Sequence, residues 1–212
     1  MEAAYWHQRW ERGEIAFHED QANPLLAAHF KALNLVDGAR VFVPLCGKTR
    51  DIAWLLAQGC RVVGVELNEL AITELFKELG QVPEVADAGP MTHYRAKDID
   101  IFAGDLFEMS AEHLGAVSAV YDRAALVALP PEMRQTYAAH VMHITDAAPQ
   151  LLIAFEYDQS QMDGPPHSVC EDEIMQHFGA TYRLCRVQSR QIENGLKGKV
   201  PATENAWLLE KD

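Results

Sequence analysis

One glycine turn and one carboxylate stand at the spacing of a nucleoside site. The turn is Leu45-Cys46-Gly47-Lys48, at the end of the apolar run Arg40-Val41-Phe42-Val43-Pro44. The carboxylate is Glu66, at the end of Arg61-Val62-Val63-Gly64-Val65. A buried strand, a tight turn, a helix and a second strand, with an acid about twenty residues on, is the arrangement that sets a carboxylate against a ribose. The turn also discriminates among cofactors. A pyrophosphate needs several glycines so that backbone amides can cradle two phosphates, and here Gly47 stands alone, with no G-x-G-x-x-G. A ligand whose charge is an amino-acid carboxylate, as in S-adenosylmethionine, suits such a turn better than a nicotinamide dinucleotide does. The same residues are also compatible with a plain strand, turn and helix in which Glu66 is a solvated strand-end acid.

The elements that must position these residues alternate between helical and strand-like periodicity along the chain, which implies a mainly parallel α/β sheet. Leu25, Leu26, His29, Phe30 and Leu33 form one helical face after Asn23-Pro24, where asparagine can cap and proline suits the first turn. Ile52, Leu55, Leu56 and Gly59 repeat the pattern after the first strand, and Ile72, Leu75, Phe76 and Leu79 after the second, with Asn68 as cap. A third strand over 98–103 ends in Gly104-Asp105, and a fourth over 117–121 ends in Asp122-Arg123. Both put polar residues at the carboxyl ends of strands, where an open α/β sheet binds its ligand. Pro130-Pro131 opens a helix to Ile144, a fifth strand covers 151–155, and Ser168-Val169-Cys170-Glu171 reads as a capping box for a helix through Phe178. The runs 181–187 and 206–210 predict an antiparallel hairpin. Five βα units closed by a hairpin give the seven-stranded Rossmann-like methyltransferase sheet, which supports S-adenosylmethionine independently of the turn.

The chain has 212 residues, about half of them apolar, and a formal net charge of −13. That length fits one domain over 1–212, with 1–35 as a helical lid region. The acidic balance and the lack of a Lys/Arg run argue against nucleic acid or an anionic membrane and favour a small-molecule substrate. No run of eighteen apolar residues occurs, and Met1-Glu2-Ala3-Ala4-Tyr5-Trp6-His7 lacks the basic start and apolar core of a secretory signal, so a cytoplasmic location is expected. Cys46, Cys60, Cys170 and Cys185 lack C-x-x-C spacing, which indicates neither a disulfide framework nor a metal site. Cys60 and Cys185 read as packed thiols, and Cys46 as a turn residue. No apolar stripe is left over once the helix faces are assigned to the core, so a monomer is expected.

Six motifs in order along nearly the whole chain resemble the thiopurine S-methyltransferases, in particular their bacterial members. They are Trp6-His7-Gln8-Arg9-Trp10, Ile15-Ala16-Phe17-His18, Val43-Pro44-Leu45-Cys46-Gly47-Lys48, Gly64-Val65-Glu66-Leu67, the run from Asp122-Arg123-Ala124-Ala125 to Leu129-Pro130, and Gly164-Pro165-Pro166. The resemblance implies a class I methyltransferase fold, with S-adenosylmethionine bound at Trp10, Leu45, Glu66 and Arg123, and no metal. Glu66 would accept from the ribose hydroxyls, Leu45 would act through its backbone, and Trp10 would offer the sulfonium an aromatic face, or else anchor the N-terminal helix in the core. Arg123 would meet both cofactor and acceptor through its planar fork, pinned by Asp122 or not, and Asp105 would neighbour the adenine or else be a turn aspartate.

The implied acceptors are aromatic or heterocyclic thiols, with selenium or tellurium species as further candidates. A sulfonium methyl is already activated, so positioning and water exclusion matter more than proton transfer. If a base is used, His18 is the candidate, with a structural histidine as the alternative. The segment 6–20 reads as a lid and 158–167 as another wall of the site. Where family members usually follow Gly-Pro-Pro with an aromatic residue, this chain has His167, which makes the acceptor pocket the open question. Competing readings are a methyltransferase for another small nucleophile such as halide or thiocyanate, a non-catalytic S-adenosylmethionine sensor, and a dinucleotide oxidoreductase.

Overall fold

Val41, Phe42 and Val43 are all buried, although successive strand residues point to opposite faces. A sheet with such strands at its centre needs cover on both sides. In the computed structural model, which describes residues 3–13 and 21–211, the chain runs α1 (Ala3–Glu11), α2 (Pro24–His29), β1 (Arg40–Val43), α3 (Arg50–Ala57), β2 (Arg61–Glu66), α4 (Glu69–Leu79), β3 (Glu84–Ala88) and β4 (Met91–Ala96). It continues through β5 (Ile99–Ala103), α5 (Ala111–Leu114), β6 (Ala119–Arg123), α6 (Pro131–Ile144), β7 (Gln150–Tyr157), α7 (Glu171–Phe178), β8 (Arg183–Gln191) and β9 (Ala202–Glu210). On one face Val41, Val43, Tyr121 and Ile153 pack against Leu25, Leu26, Ile52, Leu55, Ile72 and Phe76 of α2, α3 and α4. On the other, Phe42, Val63, Val120 and Leu152 pack against Tyr137, Val141 and Ile144 of α6 and Ile174 and Phe178 of α7.

The strand order is β3-β4-β5-β2-β1-β6-β7-β9-β8. β5, β2, β1, β6 and β7 are parallel, and the β8–β9 hairpin closes one side antiparallel. These are the seven strands expected of a class I methyltransferase sheet, but the described residues hold nine. The extra pair, β3 and β4, adds antiparallel outside β5. Its outer strand Glu-Val-Ala-Asp-Ala is almost wholly exposed, so it carries no alternation by which burial could announce it.

Several local expectations shift in detail. Asn68 caps α4 by accepting from the Leu70 N–H, and Asn23 caps α2 by accepting from Leu25. The face from Leu25 to Leu33 is α-helical only to His29 and then tightens to a 3₁₀ turn ending at Asn34. β6 begins at Ala119 and takes in Asp122 and Arg123, so both belong to the strand rather than following it. The capping box at 168–171 does not form. Cys170 is the N-cap, with no side-chain hydrogen bond, because the Ser168 hydroxyl is drawn to the strand end, where it accepts from the Tyr157 N–H at 3.0 Å. Cys60 is buried as expected, whereas Cys185, on the hairpin, is exposed.

Candidate functional site

Strand order reverses at β1, which has β2 on one side and β6 on the other. An open α/β sheet leaves a crevice at the carboxyl ends of its strands at such a point. A cavity of about 530 Å³ opens here, within the range of small-ligand sites. The β1 and β2 ends contribute Leu45 to Thr49, Glu66 and Leu67, the β6 end contributes Arg123 and Ala124, and α1 covers them with Trp6, Arg9 and Trp10. Beyond β6 the wall continues with Val127, Ala128, Phe155, Pro165, Pro166, Leu196 and Lys197. A second hollow, lined by Arg61, Arg95, Asp98 and Asp100 among others, lies at the opposite ends of β2 and β5.

Glu66 is 7% exposed and held at both oxygens. The Gly47 N–H donates to Oε2 at 2.8 Å and the Asn68 N–H to Oε1 at 2.9 Å. The carboxylate thus braces the β1 turn against the start of α4, and each oxygen keeps acceptor capacity for a ligand. Burial raises its pKa, and the backbone donors Asn68, Gly47 and Leu67 partly offset this. The turn itself is conformationally costly. Leu45 has φ 46° and Gly47 φ 51°; the first is a left-handed conformation that a branched side chain rarely takes, and such strain concentrates at ligand sites. A Cβ on Gly47 would stand 3.3 Å from the Trp10 ring, so the buried indole lies directly on the turn. Cys46 is buried beside it, and burial, then the Glu66 charge, pushes its thiol well above the usual range.

Of the two readings open for Asp122, the structure favours the one in which it does not pin Arg123. The Arg123 Nη1 lies 4.0 Å from Asp51 Oδ2, both side chains being almost fully buried. Asp51 also accepts from the Tyr121 hydroxyl at 3.0 Å and from the Asn23 N–H at 2.6 Å. The neighbouring Asp122 points to the other face of β6, as strand alternation requires, where it accepts from the Tyr137 hydroxyl at 2.8 Å and from the Leu126 N–H at 3.2 Å. Burial there raises its pKa to about 6. Asp51, on α3, is thus a buried ion-pair partner of Arg123 that sequence reasoning passed over. Ala124, with φ 64°, turns the chain out of β6 and into the cavity wall; nothing in an alanine announces that.

The remaining candidates divide. Trp10, Leu45, Glu66 and Arg123 meet in one cavity. Asp105 is exposed at the end of β5, outside the cavity wall, and caps the following 3₁₀ turn through the Phe107 N–H. The adjacent Gly104 N–H reaches the Glu66 carbonyl at 3.0 Å, so Asp105 shares the cavity's edge of the sheet. His18 lies outside the described residues. His167 does not line the cavity; its N–H donates to the Val127 carbonyl at 2.7 Å, and burial, then Arg134, lowers its ring pKa. Pro165 and Pro166 do form a wall, as expected of that loop. Leu196 and Lys197, from the loop between β8 and β9, line the cavity without any prior sign in the sequence.

A family model described as Thiopurine S-methyltransferase (TPMT) matches residues 1–211. Proteins named thiopurine S-methyltransferase from Xanthobacter autotrophicus and Gluconobacter oxydans are 52% identical over 212 residues and 47% identical over 205. The first match covers all of both chains, and the second 97% of this chain and 93% of the other. Among solved structures, the chain resembles a Burkholderia thailandensis 1,6-didemethyltoxoflavin-N1-methyltransferase with bound S-adenosylhomocysteine (TM-score 0.67, 18% identity, covering 99% and 87% of the two chains). It also resembles a magnesium protoporphyrin IX methyltransferase from Synechocystis with bound S-adenosylhomocysteine (TM-score 0.65, 13% identity, 99% and 98%). At these identities the structural likeness establishes the class I methyltransferase fold.

Proposed function

The chain belongs to the thiopurine S-methyltransferase family, and from that we propose that it transfers the methyl group of S-adenosylmethionine to the sulfur of an aromatic or heterocyclic thiol, with selenium and tellurium species as further acceptors. One observation carries the reading: a buried carboxylate, Glu66, held by two backbone donors on the strained Leu45–Gly47 turn beneath Trp10, at the switch point of the sheet. The donor set suits a ribose, because Glu66 can accept from two vicinal hydroxyls without losing its own braces. The single glycine and an aromatic face suit a sulfonium amino acid better than a pyrophosphate.

When bound, S-adenosylmethionine supplies an activated methyl: the acceptor sulfur forms the new C–S bond as the sulfonium S–CH₃ bond breaks, leaving neutral S-adenosylhomocysteine, with the thiol proton passing to water. The protein's residues bind, orient and dry the site. Glu66 and the 45–47 turn fix the nucleoside half over β1 and β2. In this reading the acceptor lies over β6 and β7, between Arg123 and the apolar wall of Phe155, Pro165 and Pro166, which line the same cavity. Asp51 limits the swing of the Arg123 guanidinium, and α1 excludes water with Trp6 and Trp10. An aromatic thiol ionises substantially near neutral pH, so no strong base is required; His18 would take the proton where one is used.

Calorimetric titration with S-adenosylhomocysteine, followed by incubation with S-adenosylmethionine and an aromatic thiol and detection of the methyl thioether, tests the proposal. Binding and product are expected. Binding without product would overturn the thiol as acceptor, and absence of binding would overturn the cosubstrate as well.

A further inference from the structure

Cationic side chains gather at the acceptor end of the cavity, in a chain whose net charge is −13. Glu66 lies at the nucleoside end, whereas the wall beyond β1 carries Arg123 and Lys197, with Arg9 above it on α1. Lys197 occupies a constructed position. It sits at the tip of the loop between β8 and β9, closed by the Leu196–Val200 bridge, with φ 54° and the positive-φ glycines Gly195 and Gly198 on either side. A non-glycine residue in that conformation is strained, and such strain concentrates at ligand-binding positions. The residue is exposed, and its Nζ donates to the carbonyl of Pro165, another residue of the cavity wall, at 2.6 Å. Burial of the amine and the like charges of Arg9 and Lys199 push its pKa below the ordinary lysine value. The ammonium thus stands in a field of its own sign, and an anion in the cavity would relieve it.

We infer that Lys197 recognises a second anionic group on the methyl acceptor, such as a ring carboxylate, and so sets a preference for acidic aromatic thiols over neutral ones. This rests on the thiol-methyltransfer reading above. In this arrangement Arg123, at the end of β6, faces the reacting sulfur next to the nucleoside half. Phe155, Pro165, Pro166 and Leu196 flank the ring, and Lys197 receives the carboxylate at the far rim. A lysine suits this end because a mobile point charge tolerates different ring positions, where a guanidinium fork would demand one.

The test compares kcat/KM for 4-sulfanylbenzoate with that for its methyl ester, two acceptors that share ring and thiol and differ in charge. The wild type should favour the acid. Lys197→Met keeps the aliphatic stem and should reduce the acid-to-ester ratio about tenfold, the scale of one lost charge-assisted hydrogen bond; Lys197→Arg should restore most of it. If Lys197 only clamps the loop to Pro165, both acceptors fall together and the ratio stays where it was, which would overturn the inference, as would a wild type that does not favour the acid. Turnover of neither acceptor by wild type, with S-adenosylhomocysteine still bound, would instead overturn the thiol reading on which the inference rests. Should Lys197→Met fail to fold, Lys197→Gln makes the same comparison.

Discussion

Replacing Glu66 with glutamine keeps the size and shape of the side chain and removes one acceptor oxygen, and the consequences can be worked through from the site. Both carboxylate oxygens accept backbone hydrogen bonds, from Gly47 and Asn68. A glutamine must turn its NH₂ toward one of these N–H donors and leave that donor buried and unpaired, at a cost of about 1–3 kcal/mol. The substitution also abolishes the burial of a charge, the cause of the raised Glu66 pKa, so the two effects oppose each other in the ligand-free protein. The melting temperature should therefore fall by only a few degrees, at about 2–4 °C per kcal/mol for a domain of this size.

Ligand binding has no such compensation. A charge-assisted hydrogen bond to a ribose hydroxyl contributes about 1.5–3 kcal/mol, which corresponds to roughly ten- to a hundredfold in affinity. Calorimetry with S-adenosylhomocysteine on wild type and Glu66→Gln, beside thermal melts of the ligand-free proteins, separates the two effects. Acidification adds a second reading. Because the folded pKa of Glu66 is raised above 4.5, wild-type affinity should begin to fall at a higher pH than an ordinary carboxylate would produce, and that component should vanish in the variant. Wild-type affinity in a folded Glu66→Gln protein would refute the assignment and leave Glu66 as a brace for the turn alone.

Three further substitutions probe the same construction. Arg123→Lys should lower kcat about tenfold or more while S-adenosylhomocysteine affinity changes less, since a point charge does not replace a planar fork held against Asp51; equal rates in steady-state assays would show that Arg123 only packs. Asp122→Asn should reveal a linkage. The folded pKa of about 6 lies above the ordinary 3.8, so the wild type binds more protons folded than unfolded between those values and loses stability as pH rises through that window. Urea unfolding at a series of pH values should show the Asn variant gaining roughly 3 kcal/mol relative to wild type from about pH 4 to 6 and nothing further above it; a flat difference would refute burial as the cause. Gly47→Ala places a methyl 3.3 Å from the Trp10 ring at φ 51°, and should cost about 1–2 kcal/mol of stability together with S-adenosylhomocysteine affinity; unchanged melting and binding would show that the turn can relax.

The sequence by itself determined the parts that local chemistry encodes. The apolar runs at β1 and β2, the lone Gly47 after one and Glu66 at the end of the other, and the Asn23 and Asn68 caps are all short-range patterns. Each survives in the structure because a strand's burial, a turn's φ and a cap's hydrogen bond depend on residues a few positions apart. The tertiary structure alone decided which distant groups meet. Asp51 became the partner of Arg123 because β1 and β6 are neighbours in the sheet, although β6 is the sixth strand along the chain. Asp122, adjacent in sequence, was carried to the opposite face by the two-residue period of a strand. Ser168 left its expected capping role for the end of β7, and the exposed β3 gave no burial pattern to read. Lys197 reached the cavity only because β9 inserts between β7 and β8 and swings the connecting loop over the site. Hydrogen-bond chemistry and periodicity are written locally, whereas the pairing of strands, and with it the set of side chains that lines the cavity, is fixed by which packed arrangement of the whole sheet buries both its faces.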